Sequence, residues 1–295
     1  MNIISEFKHM TDTSVKPKRI AIQGGYGAFH EIAAYKYFKE DSIEIVPRNT
    51  FKDLFSALKQ GKVDYGITAI ENSLAGSILP NYSLLLESNM KVIGEIFLRV
   101  KQNLVALPSQ KLSDIKEVFS HPMAILQCQQ FFDDYPEIKL IDSIDTALSA
   151  QKIAQEKLNG IAAIASELAA EKFGLEIIAS EIETNKNNYT RFLILEDKNG
   201  GGFTDKNVNK ASLSFALAHK IGSLSKILSI FSYHEINLSK IQSMPIIDRD
   251  WEYQFYIDVE FDNYDMYQQS LSSVNPFTSN IHILGEYYKG EVSFD

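Results

Sequence analysis

The stretch Asn188-Tyr189-Thr190-Arg191-Phe192 sets a carboxamide, a hydroxyl, a guanidinium and an aromatic ring within a few positions. Leu193-Ile194-Leu195 follows, an apolar run that reads as a strand entering a core. Thr190 offers a hydrogen-bond donor, Arg191 a fixed cation and Phe192 an apolar surface. That set suits a small, anionic, partly apolar ligand. The same residues also fit a strand that begins in a polar loop, with Arg191 in a surface ion pair, because most arginines face water. The weight of the first reading rests on the other polar clusters.

Gly24-Gly25-Tyr26-Gly27 stands between a predicted strand, Lys18 to Gln23, and a helix from about Phe29 to Lys39. Such a turn brings backbone N–H groups close to an anion, or is a tight turn without a ligand. Gly25-Tyr26-Gly27 is half of G-x-G-x-x-G, but His30 stands where the third glycine belongs. Glu44 is a weak candidate for a ribose acid, so nicotinamide binding is not expected. A strand from Ser42 to Pro47 and a helix from Thr50 to Gln60, capped by Thr50, follow. The strand Asp64 to Ile70 runs into Glu71-Asn72-Ser73, then Gly76. Polar residues there belong to a ligand site at the carboxyl end of a strand, or cap a helix from Leu79 to Ser88. Lys91 to Leu107 reads as an extended crossing. Beyond a short strand, Glu117 to Phe119, Ser120-His121-Pro122 opens a helix to about Asp133, with proline in the first turn. His121 fits a proton carrier or a cap. Asp145-Thr146 opens another helix, to about Lys157, and strands are predicted at Ile138 to Ile141, Gly160 to Ala165 and Leu175 to Ala179.

These elements alternate βα in two halves joined by two extended crossings, which predicts two doubly wound lobes around a cleft. The first lobe takes about 18–97 and 184–198, the second about 98–183. Hinges are expected near Phe97 to Lys101 and Ile182 to Asn188. Gly200-Gly201-Gly202 reads as part of a linker over 199–209. From 210 to 295 the pattern is βαββαβ, the ferredoxin-like order. Tyr253, Phe255, Ile257, Val259 and Phe261 alternate with mostly polar residues, as a half-buried strand does.

A net charge of −9 without a basic patch argues against nucleic acid as a partner. An anionic ligand would then be held by helix N-termini and single arginines. The one cysteine, Cys128, excludes an internal disulfide and fits a reducing cytoplasm. No cysteine cluster or close histidine pair suggests a metal, and no apolar run reaches membrane-spanning length. Residues 1–17 lack a signal-peptide core and are expected to form a loose arm, so a cytoplasmic protein is expected.

Five motifs in order carry a resemblance: Gly24 to Ala34; Ala69-Ile70-Glu71-Asn72-Ser73 with Gly76; Ser120-His121-Pro122 with Gln127-Cys128; Asp145-Thr146-Ala147; and Asn188 to Phe192. From Lys18 on, the chain resembles monofunctional prephenate dehydratases with a C-terminal ACT domain. The resemblance implies two lobes of periplasmic-binding-protein type and conversion of prephenate to phenylpyruvate, with loss of carbon dioxide and water. It implies Thr190, Arg191 and Phe192 as catalytic. Gly27, Ala28, Glu71, Asn72, Ser73, Ser120, His121, Thr146 and Asn188 are the implied substrate contacts, with Glu71 and His121 also fitting structural caps. No cofactor or metal is implied. Phenylalanine is the implied effector, at Gly222, Ser223, Leu224, Asn237, Leu238, Ser243, Met244 and Pro245, in a homodimer or homotetramer. Ala28 stands where the family has a small hydroxyl residue and Ala69 where it has proline. Gln242 and Met244 replace a glutamate and an arginine, which puts effector binding in question. No helical chorismate mutase unit is expected ahead of Lys18. Rival readings are a solute-binding or amino-acid-sensing protein without catalysis, disfavoured by the absent signal peptide and the appended domain, and a phosphoribosyltransferase, for which no acidic pair beside a phosphate loop is seen.

Overall fold

The computed structural model describes residues 16–39, 41–200, 207–217, 220–246 and 252–291. Most of the expected N-terminal arm, the linker glycines Gly201 and Gly202, and the predicted strand ends Ala218, Ile247 and Trp251 lie outside them. In chain order the elements are β1 (Lys18–Gln23), α1 (Phe29–Phe38), β2 (Ile43–Arg48), α2 (Phe51–Lys59), β3 (Tyr65–Asn72), β4 (Gly76–Ser77), α3 (Leu79–Glu87), β5 (Met90–Arg99) and β6 (Asn103–Ala106). Then come β7 (Glu117–Ser120), α4 (Pro122–Gln127), α5 (Gln129–Asp133), β8 (Lys139–Asp142), α6 (Thr146–Glu156), β9 (Ile161–Ala165), α7 (Glu167–Phe173), β10 (Glu176–Ala179) and β11 (Tyr189–Asp197). The rest is β12 (Lys210–Leu217), α8 (Ser223–Tyr233), β13 (Asn237–Pro245), β14 (Tyr253–Glu260), α9 (Tyr264–Val274) and β15 (Ser279–Tyr287).

The first sheet runs β2-β1-β3-β11-β5, with β4 paired to β3, and the second runs β10-β6-β9-β7-β8. β1 pairs in parallel with β2 and β3, and β7 with β8 and β9. These are the two doubly wound lobes. The run from Lys91 to Leu107 is mostly sheet: β5 completes the first sheet and β6 enters the second, so only Val100 to Gln102 crosses. The helix expected over Pro122 to Asp133 is broken at Cys128, whose backbone leaves helical geometry at φ −107° and ψ 10°.

The two crossings run side by side. Val100 N–H donates to the Asn188 carbonyl at 2.7 Å, and Ile182 N–H to that of Gln102 at 2.7 Å. Arg99 pairs with Glu181 at 2.7 Å and with the buried Glu183 at 3.5 Å. Glu183 also accepts the Gln102 N–H at 2.9 Å.

By contacts the chain forms two compact units, one of residues to Ile78 with Ile96–Phe192, the other of Leu79–Glu95 with Leu193–Glu291. The boundary falls within β5 and β11. In the second unit β13-β14-β12-β15 form one antiparallel sheet, with α8 and α9 in βαββαβ order. Ala211, Leu213, Phe215 and Leu217 of β12 face a core with Ile227, Phe231 and Tyr267. The alternate residues Lys210, Ser212 and Ser214 are buried too. Lys210 pairs with Glu95 of β5 at 2.9 Å, and Tyr82 of α3 meets Tyr256 edge to face. That explains why α3 and the start of β5 belong to this unit.

Candidate functional site

The site is built where β3 ends beside the start of β11. Asn72 is the last residue of β3 and is buried. Its Oδ1 accepts the N–H groups of Leu74 and Ala75 at 3.0 and 2.9 Å. The amide nitrogen is thereby aimed at β11, where it donates to Asn188 Oδ1 at 2.8 Å, Thr190 Oγ1 at 3.0 Å and the Tyr189 carbonyl at 3.2 Å. The Thr190 oxygen is therefore an acceptor from Asn72, and its own proton is left to donate elsewhere. Asn188 donates to Gln127 Oε1 at 2.9 Å, an oxygen that also accepts from Gln102 at 3.2 Å. Ser73 locks the junction: its N–H donates to Tyr189 O, its hydroxyl to Asn187 O, and its oxygen accepts the Tyr189 N–H.

A cavity of about 460 Å³ opens in front of Thr190. Thr190 and Phe192 line it, with Asn72, Ala28, Phe29, His30, Phe51, Gln102, His121, Gln127, Ile144, Asp145 and Thr146 among the other walls. No lysine or arginine is among the lining residues. Positive potential comes instead from helix starts. α1 begins at Phe29 with no side-chain cap; the Glu31 N–H donates to the Ala28 carbonyl at 2.9 Å, which leaves those of Phe29 and His30 for a ligand. α6 begins at Thr146 behind the cap Asp145, whose Oδ1 takes the Leu148 N–H at 2.9 Å. α4 begins behind His121, whose Nδ1 accepts the Met123 N–H at 3.2 Å. A neutral His121 therefore carries its proton on Nε2.

The end beside Phe192 is aromatic. His30 stands edge-on to Phe192 with ring centroids 4.9 Å apart, and 5.7 Å from Phe51. Its Nε2 accepts the Ala69 N–H at 3.4 Å. Burial pushes the His30 pKa down to about 3, so the ring is neutral. The unfolded chain takes up the proton that the native state refuses, so this residue costs stability as pH falls below 6.5 towards 3. The slope is up to about 1.4 kcal/mol per pH unit. Urea midpoints between pH 7 and 5 are expected to fall more steeply for the native protein than for His30→Gln, and equal slopes would refute this.

The structure gathers Ala28, Asn72, His121, Thr146, Thr190 and Phe192 around the cavity. It does not place Gly27, Glu71, Ser73, Ser120, Asn188 or Arg191 in the lining. Strand period explains Arg191: between Thr190 and Phe192 it points to the opposite face, where it is buried near the Phe97 ring at 6.0 Å. Both polar groups of Gly27 are taken, the N–H by Glu31 at 2.6 Å and the carbonyl by the Ser166 hydroxyl at 2.5 Å. The Ser120 hydroxyl donates to Ile164 O at 2.8 Å. Glu71 pairs with Ser77 in the β3–β4 hairpin. Asn188 and Ser73 act on the lining through Asn72 and Tyr189. Gln23, Phe51, Gln102, Gln127, Ile144 and Asp145 line the cavity without having been expected there. Asp145 and Gln127 stood inside recognised motifs; the others carry no local signal, because the fold alone brings them in.

In the second unit, Gly222 caps α8 with φ +77°, a conformation open to glycine. Ser223 and Leu224 open that helix. Asn237, Leu238, Ser243, Met244 and Pro245 lie on β13, an edge strand of alternating exposure. Among the described residues no group of acidic, histidine and cysteine side chains has the geometry to hold a metal ion, and no helix is long and apolar enough to cross a membrane.

A family model described as prephenate dehydratase matches residues 20–200. Arogenate dehydratase/prephenate dehydratase 2, chloroplastic, of Arabidopsis thaliana is 37% identical over 280 residues, covering 91% of this chain and 72% of that protein. A prephenate dehydratase from Arthrobacter aurescens, solved in complex with L-Phe, superposes with a TM-score of 0.82 at 25% identity, covering 92% of this chain and 89% of that one. GqqA, described as a novel type of quorum quenching acylase, superposes with a TM-score of 0.84 at 27% identity, covering 92% and 98%. With the family model spanning most of the chain, a relative 37% identical over 91% of it, and each of the five motifs contributing residues to one cavity, this chain belongs to the prephenate dehydratase family.

Proposed function

We propose that the cavity binds prephenate and converts it to phenylpyruvate, carbon dioxide and water. The observation that carries this is the Asn72–Thr190 pair: Thr190 Oγ1 accepts from Asn72 at 3.0 Å in the wall of a cavity with an aromatic end, which leaves its proton to donate to a ligand. As the ring carboxylate leaves as carbon dioxide, its bonding electrons enter the ring and the C–O bond to the ring hydroxyl breaks. The departing hydroxide needs a proton, and hydrogen bonding to it in the transition state lowers the barrier. Thr190 makes that hydrogen bond; the proton itself comes from solvent, since a threonine hydroxyl is too weak an acid to supply it. His30, Phe51 and Phe192 surround the ring carboxylate without a cation, which favours its loss as a neutral molecule. The first turns of α1 and α6, with Thr146, hold the pyruvyl arm. Arg191 stiffens β11 and does not touch substrate. The test is direct: purified protein and prephenate, with phenylpyruvate followed by its ultraviolet absorbance. No product over the uncatalysed background would end this reading.

The same reading assigns phenylalanine as effector at the start of α8 and along β13, where Gly222 allows close approach. It also makes the protein a cytoplasmic homodimer or homotetramer that uses the β13 edge, since symmetric pairing satisfies an open edge. The L-Phe bound by the Arthrobacter relative supports the ligand class. Calorimetric titration of phenylalanine is expected to give saturable heat, with activity falling over the same concentrations. Absence of both at millimolar phenylalanine would leave the domain to assembly alone.

A further inference from the structure

Away from the crossings, the two sheets of the first unit meet a second time. Glu31 of α1, on the first sheet, is fully buried. One oxygen pairs with Lys172 of α7, on the second sheet, at 2.7 Å. The other accepts the Gly27 N–H at 2.6 Å. Ser166, the cap of α7, donates to the Gly27 carbonyl at 2.5 Å while its oxygen accepts the Ala169 N–H at 3.0 Å. The approach is close: a Cβ at Gly27 would lie 2.6 Å from Ala169 Cα, and φ there is +85°. The residues directly after Gly27, Ala28 to His30, line the cavity.

We propose that Glu31 and Lys172 are positioning residues that latch the two lobes over the cavity, and that this latch opens to admit prephenate. The inference rests on the prephenate reading for the identity of the ligand. The crossings are the covalent join and so the pivot; the latch is a contact that separation can break. The Ser166–Gly27 hydrogen bond and the close packing share the contact, and the charge pair makes it sensitive to Lys172, because Glu31 without Lys172 is a buried carboxylate whose remaining partners are hydrogen-bond donors. Breaking it shifts the population towards an open form, and apparent affinity falls by the fraction still closed. The chemical step, once the lobes are closed on substrate, is unaffected by the latch.

The test compares Lys172→Met, Lys172→Arg and the double variant Glu31→Gln/Lys172→Met, in which glutamine still accepts the Gly27 N–H. Lys172→Met and the double variant are expected to raise KM about tenfold with the change falling in KM rather than kcat. Small-angle scattering without ligand is expected to show a larger radius of gyration, returning to the native value with saturating phenylpyruvate. Lys172→Arg keeps the charge and restores both readouts. A folded double variant with native KM and native radius overturns the latch. So does a loss confined to kcat in proportion to the unfolded fraction, the mark of a merely structural pair. If the native protein turns over no prephenate, the functional reading fails, while scattering of the ligand-free variants still decides the latch.

Discussion

Thr190→Ala is expected to lower turnover by about 10²–10⁴ and leave the protein folded. The expected separation of effects follows from the Asn72 network. Asn72 keeps its other acceptors when the hydroxyl is removed, Asn188 Oδ1 at 2.8 Å and Tyr189 O at 3.2 Å. No buried donor is stranded, so the stability cost stays near about 1 kcal/mol. What disappears is the one hydroxyl proton that Asn72 turns towards the cavity. Thr190→Ser keeps the hydroxyl and is expected to retain most activity; Thr190→Val keeps the shape and is expected to match alanine. Asn72→Ala is expected to lower both turnover and melting temperature, since it leaves the Leu74 and Ala75 N–H groups without their acceptor. Steady-state kinetics and thermal melts on the four proteins check this. An alanine variant with near-native kcat would remove Thr190 from the chemistry.

Lys210→Met is expected to destabilise the protein by about 3–5 kcal/mol, a large part of a typical 5–15 kcal/mol total. Lys210 is 3% exposed and its partner Glu95 also accepts the Gly290 N–H at 3.0 Å. Glu260 lies 3.5 Å from Lys210 and is paired with Lys289 at 2.7 Å. Removing the ammonium deletes a positive charge that lies 2.9 Å from the buried Glu95 carboxylate. The pair itself need not add stability, because both ions were desolvated to form it. Lys210→Met/Glu95→Gln is therefore expected to recover much of the loss, giving strong non-additivity. Urea denaturation gives all the values. A single variant within 1 kcal/mol of the native protein would show that water reaches Glu95.

The lobes, the ferredoxin-like order and the motif positions were legible because each rests on local information. Hydrophobic period distinguishes strands from helices, and Thr50 and Asp145 do cap the helices that follow them. Thr190 and Phe192 could be read as partners for the same reason, since residues two apart on a strand share a face. That rule also moves Arg191 to the other face, but which face meets the cavity depends on the neighbouring strands.

Four features were decided only in three dimensions. Gly27 reads as part of a ligand turn or of a tight turn without a ligand; Glu31 and Ser166 consume its polar groups, and Ser166 lies 139 positions away. His30 reads as a polar residue at a helix start, and burial makes it a neutral wall. Lys210, Ser212 and Ser214 alternate with the core residues of β12, and are buried as well in the second unit. The orientation of Thr190 depends on Asn72, 118 positions earlier. Local sequence specifies the conformation of a segment. Which polar atoms are left free for a ligand depends on partners far along the chain, and those partners are chosen by packing.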